Sequence, residues 1–208
     1  IEKLITDMGT PLEEITEEEV SIEIFPNRPD LLSLQNFARA VNQYQGKRGV
    51  ATFHINKPAK DYRVTIDKSV KQVRPHTVCA IIKGLKFDDE KIKEIVDIQE
   101  KLHTSIGRRR KKLAIGIYPM EAITLPITFK ALPPKDIKFR PLEFPREITG
   151  QQILSQHPAG REYGKLLEGE KVFPVFVDGA GEVLSMPPII NSEKTGRITE
   201  KTKDVFIE

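Results

Sequence analysis

The sequence predicts an α+β chain: a mixed β-sheet with helices packed on it, preceded by a small strand-turn-helix unit. Three observations carry this expectation. Short β-rich segments are scattered along the whole length, helical periodicity falls between them without a strict strand-helix-strand repeat, and residues 172–185 read as a hairpin turned by Asp178-Gly179-Ala180-Gly181. At 208 residues the chain has ample scope for a core.

Taken in order, Val20-Ser21-Ile22-Glu23-Ile24-Phe25 alternates at period two, as a strand with one buried face should, and stops at Pro26. Asn27 and Asp30 then offer helix caps, and Leu31, Leu34, Phe37, Ala38 and Val41 fall on one helical face. Residues 45–60 turn polar, with Gly46, Gly49 and Pro58, and predict a linker between a unit at 1–60 and a second at 61–208. The second unit opens with the β-rich stretches Tyr62-Arg63-Val64-Thr65-Ile66 and Thr77-Val78-Cys79-Ala80-Ile81-Ile82. Asp88 and Asp89 favour a helix start, and Ile92, Ile95, Val96, Leu102 and Ile106 recur at helical spacing until Gly107. Gln99 falls on or beside that stripe, where a polar side chain must find a buried partner or a ligand. Leu113-Ala114-Ile115-Gly116-Ile117 predicts a buried strand delivering Tyr118-Pro119-Met120-Glu121 at its end. Thr149 or a neighbour caps a helix through Ile153 and Leu154, which His157-Pro158 interrupts.

The hairpin's second strand, Glu182-Val183-Leu184-Ser185, runs into Met186-Pro187-Pro188-Ile189-Ile190-Asn191-Ser192-Glu193. Two prolines stiffen the exit, Ile189 and Ile190 can anchor it, and Asn191, Ser192 and Glu193 then stand beside an apolar wall. That is one way to build a pocket for an apolar group with one polar end. The same residues also fit a proline-stiffened loop with a solvated tip.

Charge and composition exclude several classes. Charged residues make up 30% and no apolar run approaches the ~20 residues of a membrane span, so a soluble, cytoplasmic chain with no membrane partner is expected. The single cysteine, Cys79, reads as a buried small hydrophobe in a reducing compartment. A net charge of +3 is indifferent, but Arg108, Arg109, Arg110, Lys111 and Lys112 are consecutive, enough to hold several phosphates or to form a solvated loop. With no tryptophan and few other aromatics, grip on a folded RNA backbone is favoured over base stacking. A phosphate-binding glycine loop, a spaced Cys/His metal set and a Gly-x-Ser-x-Gly elbow are all missing from the sequence.

Several stretches together resemble one family. Asn27-Arg28-Pro29-Asp30-Leu31-Leu32-Ser33 with the Phe-Ala-Arg-Ala helix after it resembles a segment near the N-terminus of the phenylalanyl-tRNA synthetase beta subunit. The stretches Ile98 to His103, Leu113 to Ile117, Asp136 to Phe139, Leu184 to Asn191 and Asp204 to Glu208 resemble the editing domain of its archaeal and eukaryotic form, in the expected order. The resemblance implies an N-terminal fragment with residues 1–60 as a partial structural domain and 61–208 as the editing domain. Its implied activity is hydrolysis of mischarged tyrosyl-tRNA(Phe), and the alternative is a non-catalytic module that positions tRNA. A separate hydrolytic site is physically reasonable, because a pocket for an apolar side chain rejects an added hydroxyl only ~10²-fold, whereas a site that bonds the hydroxyl rejects its absence by ~10⁴ or more.

On this reading Asn191, Ser192 and Glu193 carry catalysis, and Gln99, Tyr118, Leu184, Pro188 and Ile189 line the substrate. Arg108, Arg109, Arg110, Lys111 and Lys112 hold tRNA. Many family members have His-Asp where this chain has Tyr118-Pro119, and Glu193 aligns with a glutamate of the bacterial branch. No base lies beside Ser192 in sequence, so attack by a positioned water is expected. Editing requires no cofactor or metal on this reading, ATP and Mg serve only the complete synthetase, and the partners are tRNA(Phe) and the alpha subunit in an alpha2beta2 heterotetramer.

Overall fold

The computed structural model describes residues 1–50 and 52–208; Ala51, inside the expected linker, lies outside the described residues. It opens with helix α1 (Glu2–Asp7) and an antiparallel pair of strands, β1 (Leu12–Ile15) and β2 (Val20–Ile22). A 3-10 turn over Pro29–Leu31 follows, and then helix α2 (Leu34–Tyr44). The expected strand-turn-helix unit is present, but the cap is Ser33, whose hydroxyl accepts from the Asn36 N–H at 3.2 Å, rather than Asn27 or Asp30. Asp30 instead pairs with Arg28.

The remaining chain forms strands β3 (Val64–Ile66) and β4 (Ala80–Ile82), helix α3 (Asp89–Thr104), and strands β5 (Ile117–Pro119) and β6 (Ile127–Leu132). The short pair β7 (Lys138–Phe139) and β8 (Ile148–Thr149) precedes helices α4 (Gly150–Gln156) and α5 (Pro158–Tyr163). Strands β9 (Phe173–Val177), β10 (Val183–Met186) and β11 (Ile190–Asn191), helix α6 (Glu193–Gly196) and strand β12 (Val205–Ile207) complete it.

The main sheet has the order β11-β10-β9-β6-β3, antiparallel except for β3 beside β6, so the expected mixed sheet is found. Along β6 buried and half-buried residues alternate, which sends Ile127, Phe129 and Ala131 to one face. There Phe129 stacks on Phe176 with centroids 4.3 Å apart, in a core shared with Tyr118, Leu184 and Phe206. A second core, with Ile137, Ile153, Val175, Met186 and Ile189, packs α4 against the sheet. Thr149 caps α4 in a reciprocal box with Gln152, and His157 caps α5 by accepting from the Ala159 N–H, as the Thr149 and His157-Pro158 signals anticipate.

The three-stranded sheet β4-β12-β5 departs from expectation. Pairing begins at Gly116, which exchanges two backbone hydrogen bonds with Glu208 at 3.0 Å, and not at Leu113, because Ile115 bonds to α3: its N–H donates to His103 Nε2 at 2.8 Å and its carbonyl accepts from Gln99 Nε2 at 2.5 Å. Helix α3 ends at Thr104, so Ile106 lies beyond it and is exposed, as is Val96. Cys79 is exposed rather than buried, since it precedes β4, whose outer edge no strand among the described residues covers. Among the described residues no helix is long and apolar enough to cross a membrane.

Candidate functional site

Between α3, the turn from β10 to β11, and the last residues of the chain lies a cavity of about 380 Å³. Ile92 and Ile95 of α3, Ala114, Pro187, Pro188 and Ile189 give it apolar walls. Pro187 and Pro188 are buried, and the peptide between them is cis. Ile189 is fully buried beneath them and Ile190 enters β11, so this turn is fixed in the core as the sequence requires.

The polar end is a cluster of four side chains. The phenol of Tyr118, fully buried on β5, donates to Glu208 Oε1 at 2.9 Å and stands 3.3 Å from Asn191 Oδ1. Ser185, also buried, has a hydroxyl without a hydrogen-bond partner among the described residues. Asn191, Ser185 and Glu208 line the cavity, while Tyr118 stands behind them. Glycine is required here: a Cβ on Gly116 would collide with the Tyr118 hydroxyl and the Glu208 carboxylate, and one on Gly196 would meet Asn191 Cβ at 2.7 Å.

Burial pushes the Glu208 carboxyl up to about 7, against the opposing effects of the Tyr118 hydrogen bond and the Arg74 charge. Burial, followed by the Glu208 charge, pushes the Tyr118 phenol well above its ordinary value, so it remains a donor. This carboxyl therefore changes protonation near neutrality at the end of an apolar slot, a setting suited to bonding a hydroxyl or moving a proton.

At the opposite wall Arg110 turns inward. Its Nη1 donates to the carbonyls of Pro188 (3.3 Å) and Ile189 (2.9 Å), and Nη2 donates to Glu100 Oε1 (2.6 Å). The guanidinium also lies 4.2 Å from the centre of the Tyr163 ring. Arg108, Arg109 and Arg110 adopt left-handed backbone, with φ of 50°, 52° and 62°, at a cost of ~1–2 kcal/mol each that the Arg110 contacts help offset. His103 is satisfied at both ring nitrogens: Nε2 accepts from Ile115, so Nδ1 carries the proton donated to Glu100 Oε1 at 3.2 Å. Burial and the Arg110 charge lower its pKa, which keeps it neutral and structural.

Of the expected site residues, the structure brings Gln99, Pro188, Ile189 and Asn191 together on the cavity. Three others go elsewhere. Ser192 is buried as the cap of α6, accepting from the Lys194 N–H at 3.3 Å. Glu193 accepts from Arg197 Nε (2.7 Å) and Nη2 (3.0 Å) and from the Glu143 N–H (2.8 Å); the Arg197 pairing holds its carboxyl below the usual range. These two close the loop rather than furnish the polar end, because the short α6 and its flanking arginines supply nearer partners. Leu184 belongs to the core beneath Tyr118 and does not face the cavity.

In the basic run Arg110 is a wall residue, while Arg108, Arg109, Lys111 and Lys112 are exposed. Sequence reasoning missed Ser185, Glu208 and Glu100 as site residues. The available signal was Tyr118 itself, since a buried phenol requires a partner and here finds Glu208.

Comparison with known proteins puts this geometry in context. No protein-family model matches the sequence. The chain is 41% identical over 202 residues to the phenylalanine–tRNA ligase beta subunit of Archaeoglobus fulgidus, covering 97% of this chain and 36% of that protein. It is 42% identical over 183 residues to that of Thermococcus sibiricus, covering 88% and 32%. Among solved structures, an N-terminal fragment of the Pyrococcus horikoshii phenylalanyl-tRNA synthetase beta subunit superposes with a TM-score of 0.90 at 38% identity, covering 99% of this chain and 60% of that one. Fold and sequence thus place the chain with aminoacyl-tRNA ligase subunits. It spans about a third of the length of the curated relatives it matches. Within that class it is a homologue of the phenylalanine–tRNA ligase beta subunit, which bears out the resemblance seen in the sequence.

Proposed function

We propose that this chain is the editing part of a phenylalanine–tRNA ligase beta subunit and hydrolyses tyrosine wrongly attached to tRNA(Phe). The observation that carries the reading is the apolar cavity ending in Asn191, Ser185 and Glu208. A tyrosyl ring fits the apolar walls, and its hydroxyl meets groups that a phenylalanyl ring would leave unpaired, the arrangement that discriminates by ~10⁴ or more. The unpartnered Ser185 hydroxyl is the group that gains most from such a ligand. Neither serine is held as an activated nucleophile, since Ser192 is engaged as a helix cap and the Ser185 hydroxyl, although close to Glu208 and Tyr118, meets neither in a well-formed hydrogen bond. Attack on the ester therefore falls to a water held by the site. On this proposal residues 61–208 carry the site without a cofactor and residues 1–60 support it, while ATP, Mg and the alpha subunit, in an alpha2beta2 assembly, serve the complete ligase.

A non-catalytic module that positions tRNA is the second reading. It is favoured by the local satisfaction of Ser192 and Glu193, and by a Tyr118 hydroxyl that already engages Glu208. Deacylation separates the two. Wild-type chain should release tyrosine from tyrosyl-tRNA(Phe) and leave phenylalanyl-tRNA(Phe) intact, and Asn191→Ala and Glu208→Gln should each slow release ~10²-fold, the first with tRNA affinity unchanged. Full activity in both variants would overturn the site assignment, and no activity in the wild type would leave the positioning module.

A further inference from the structure

A second cleft, also of about 380 Å³, lies on the other side of Pro187 and Glu208 from the cavity. Arg74, His76, Lys111 and Lys112 line it, and Glu208 is its one carboxylate. Among the described residues none of these four side chains forms a hydrogen bond or an ion pair, although Lys91, Lys101, Lys194 and Arg197 elsewhere all have acidic partners. Arg74 is only partly exposed, and burial lowers its pKa. The Glu208 charge offsets this only in part and makes no ion pair with it, so an anion in direct contact would stabilise the guanidinium further. Val73, Pro75, Leu113 and the rings of Phe129 and Phe176 give the cleft an apolar floor. The left-handed turn over residues 108–110, closed by the Lys112 N–H to the Gly107 carbonyl at 2.8 Å, sets Lys111 and Lys112 on this side while Arg110 points to the other.

Three cations facing a single carboxylate, Glu208, which none of them contacts in an ion pair, leave an excess of positive charge around an apolar floor, and that combination recognises a phosphate joined to a base, as single-stranded RNA offers. The cleft and the cavity share Ala114, Pro187 and Glu208 and so adjoin, which suits two consecutive parts of one ligand. We propose that the cleft holds the nucleotide preceding the acylated 3′-terminal adenosine of tRNA, with its phosphate on Arg74 and the lysine pair and its base on the apolar floor. This rests on the editing reading for the identity of the acylated end. It narrows the basic run to Lys111 and Lys112 for this contact and adds Arg74, which lies far from that run in sequence.

The test uses the 208-residue chain, Arg74→Gln, and the exposed double variant Lys111→Gln/Lys112→Gln, each checked for an unchanged melting transition. A labelled, unacylated trinucleotide matching the tRNA 3′ end is titrated by fluorescence anisotropy, with adenosine as a competitor that lacks the upstream phosphates. Both variants should bind the trinucleotide about tenfold more weakly and with a flatter salt dependence. Hydrolysis of 3′-tyrosyl-adenosine should be unaffected, while KM for tyrosyl-tRNA rises and kcat holds. Trinucleotide affinity equal to wild type in both variants overturns the cleft, as does equal loss on tyrosyl-adenosine. Should the wild type hydrolyse neither ester yet bind the trinucleotide through Arg74 and the lysines, the editing reading fails and the RNA-end cleft stands.

Discussion

Helices α2 and α4 start alike and end in different surroundings. Each begins at a hydroxyl cap, Ser33 or Thr149, and each carries large apolar side chains, Leu34, Phe37 and Val41 on α2 and Ile153 and Leu154 on α4. Ile153 on α4 is fully buried in the core of the main sheet, whereas α2 buries no residue and its Leu34 is 76% exposed. The contrast extends beyond the helices. Within residues 1–50 only Ile5, Thr10 and Leu31 are buried, while residues 61–208 hold two packed cores. The one hydrogen bond between the two regions among the described residues runs from Lys101 Nζ to the Leu32 carbonyl at 3.5 Å. A cap and apolar side chains start a helix, but a stable position requires a surface to cover those side chains.

The sharpest way to break this comparison is to remove matched side chains from the two helices. Ile153→Ala should lower the unfolding free energy by ~2–5 kcal/mol, because it deletes buried methylenes and leaves a cavity in a core that cannot fully close. Urea denaturation followed by circular dichroism measures the loss. A change under 1 kcal/mol would mean that the α4 side of the second region is as loosely held as the first.

A smaller effect is expected at Glu208, where the second region tolerates a costly group. Its carboxyl is raised from 4.5 to about 7 in the fold, so between those values the folded chain binds more protons than the unfolded one. Stability is therefore greatest below pH 4.5 as far as this group is concerned, and falls as pH rises towards about 7, by at most ~3 kcal/mol. Glu208→Gln should remove that dependence and leave the variant relatively more stable than wild type above pH 7. Melting curves at pH 5 and pH 8 compare the two directly, and an unchanged slope in the variant would show that Glu208 does not impose it.

Much of this was legible in the residues. The turn at Asp178-Gly179-Ala180-Gly181 and the Thr149 cap located the hairpin and α4, because each signal is local. Half of the cavity followed, since Pro188, Ile189 and Asn191 sit in one stretch with Gln99 facing them from α3. The polar end did not follow. Tyr118 was in the expected set, but its neighbours Ser185 and Glu208 come from β10 of the main sheet and the end of β12, and they reach it through the β12–β5 pairing and the packing of the two sheets, which no local signal encodes. Arg110 was hidden for another reason. A run of like charges reads as a uniform surface, and only its left-handed turn separates the inward guanidinium from the outward ones. Ser192 and Glu193 have the right chemistry for a site, but the start of α6 and Arg197 lie closer to them than the cavity does.

The smallest effect is expected on α2, and it bears most directly on the comparison. Leu34 opens the helix one residue after the cap, and its side chain lies in solvent, so replacing it removes almost no buried area. Lysine has nearly the helix propensity of leucine, and the Ser33 cap does not depend on residue 34. Leu34→Lys should therefore change the unfolding free energy by less than ~0.5 kcal/mol, in contrast with the several expected at Ile153. Denaturation at two protein concentrations tests this fully. A loss above 1 kcal/mol that grows with concentration would show that the apolar face of α2 is covered between copies of the chain. The same loss at both concentrations would mean that the face packs within the molecule, and the contrast between the two regions would then be one of degree.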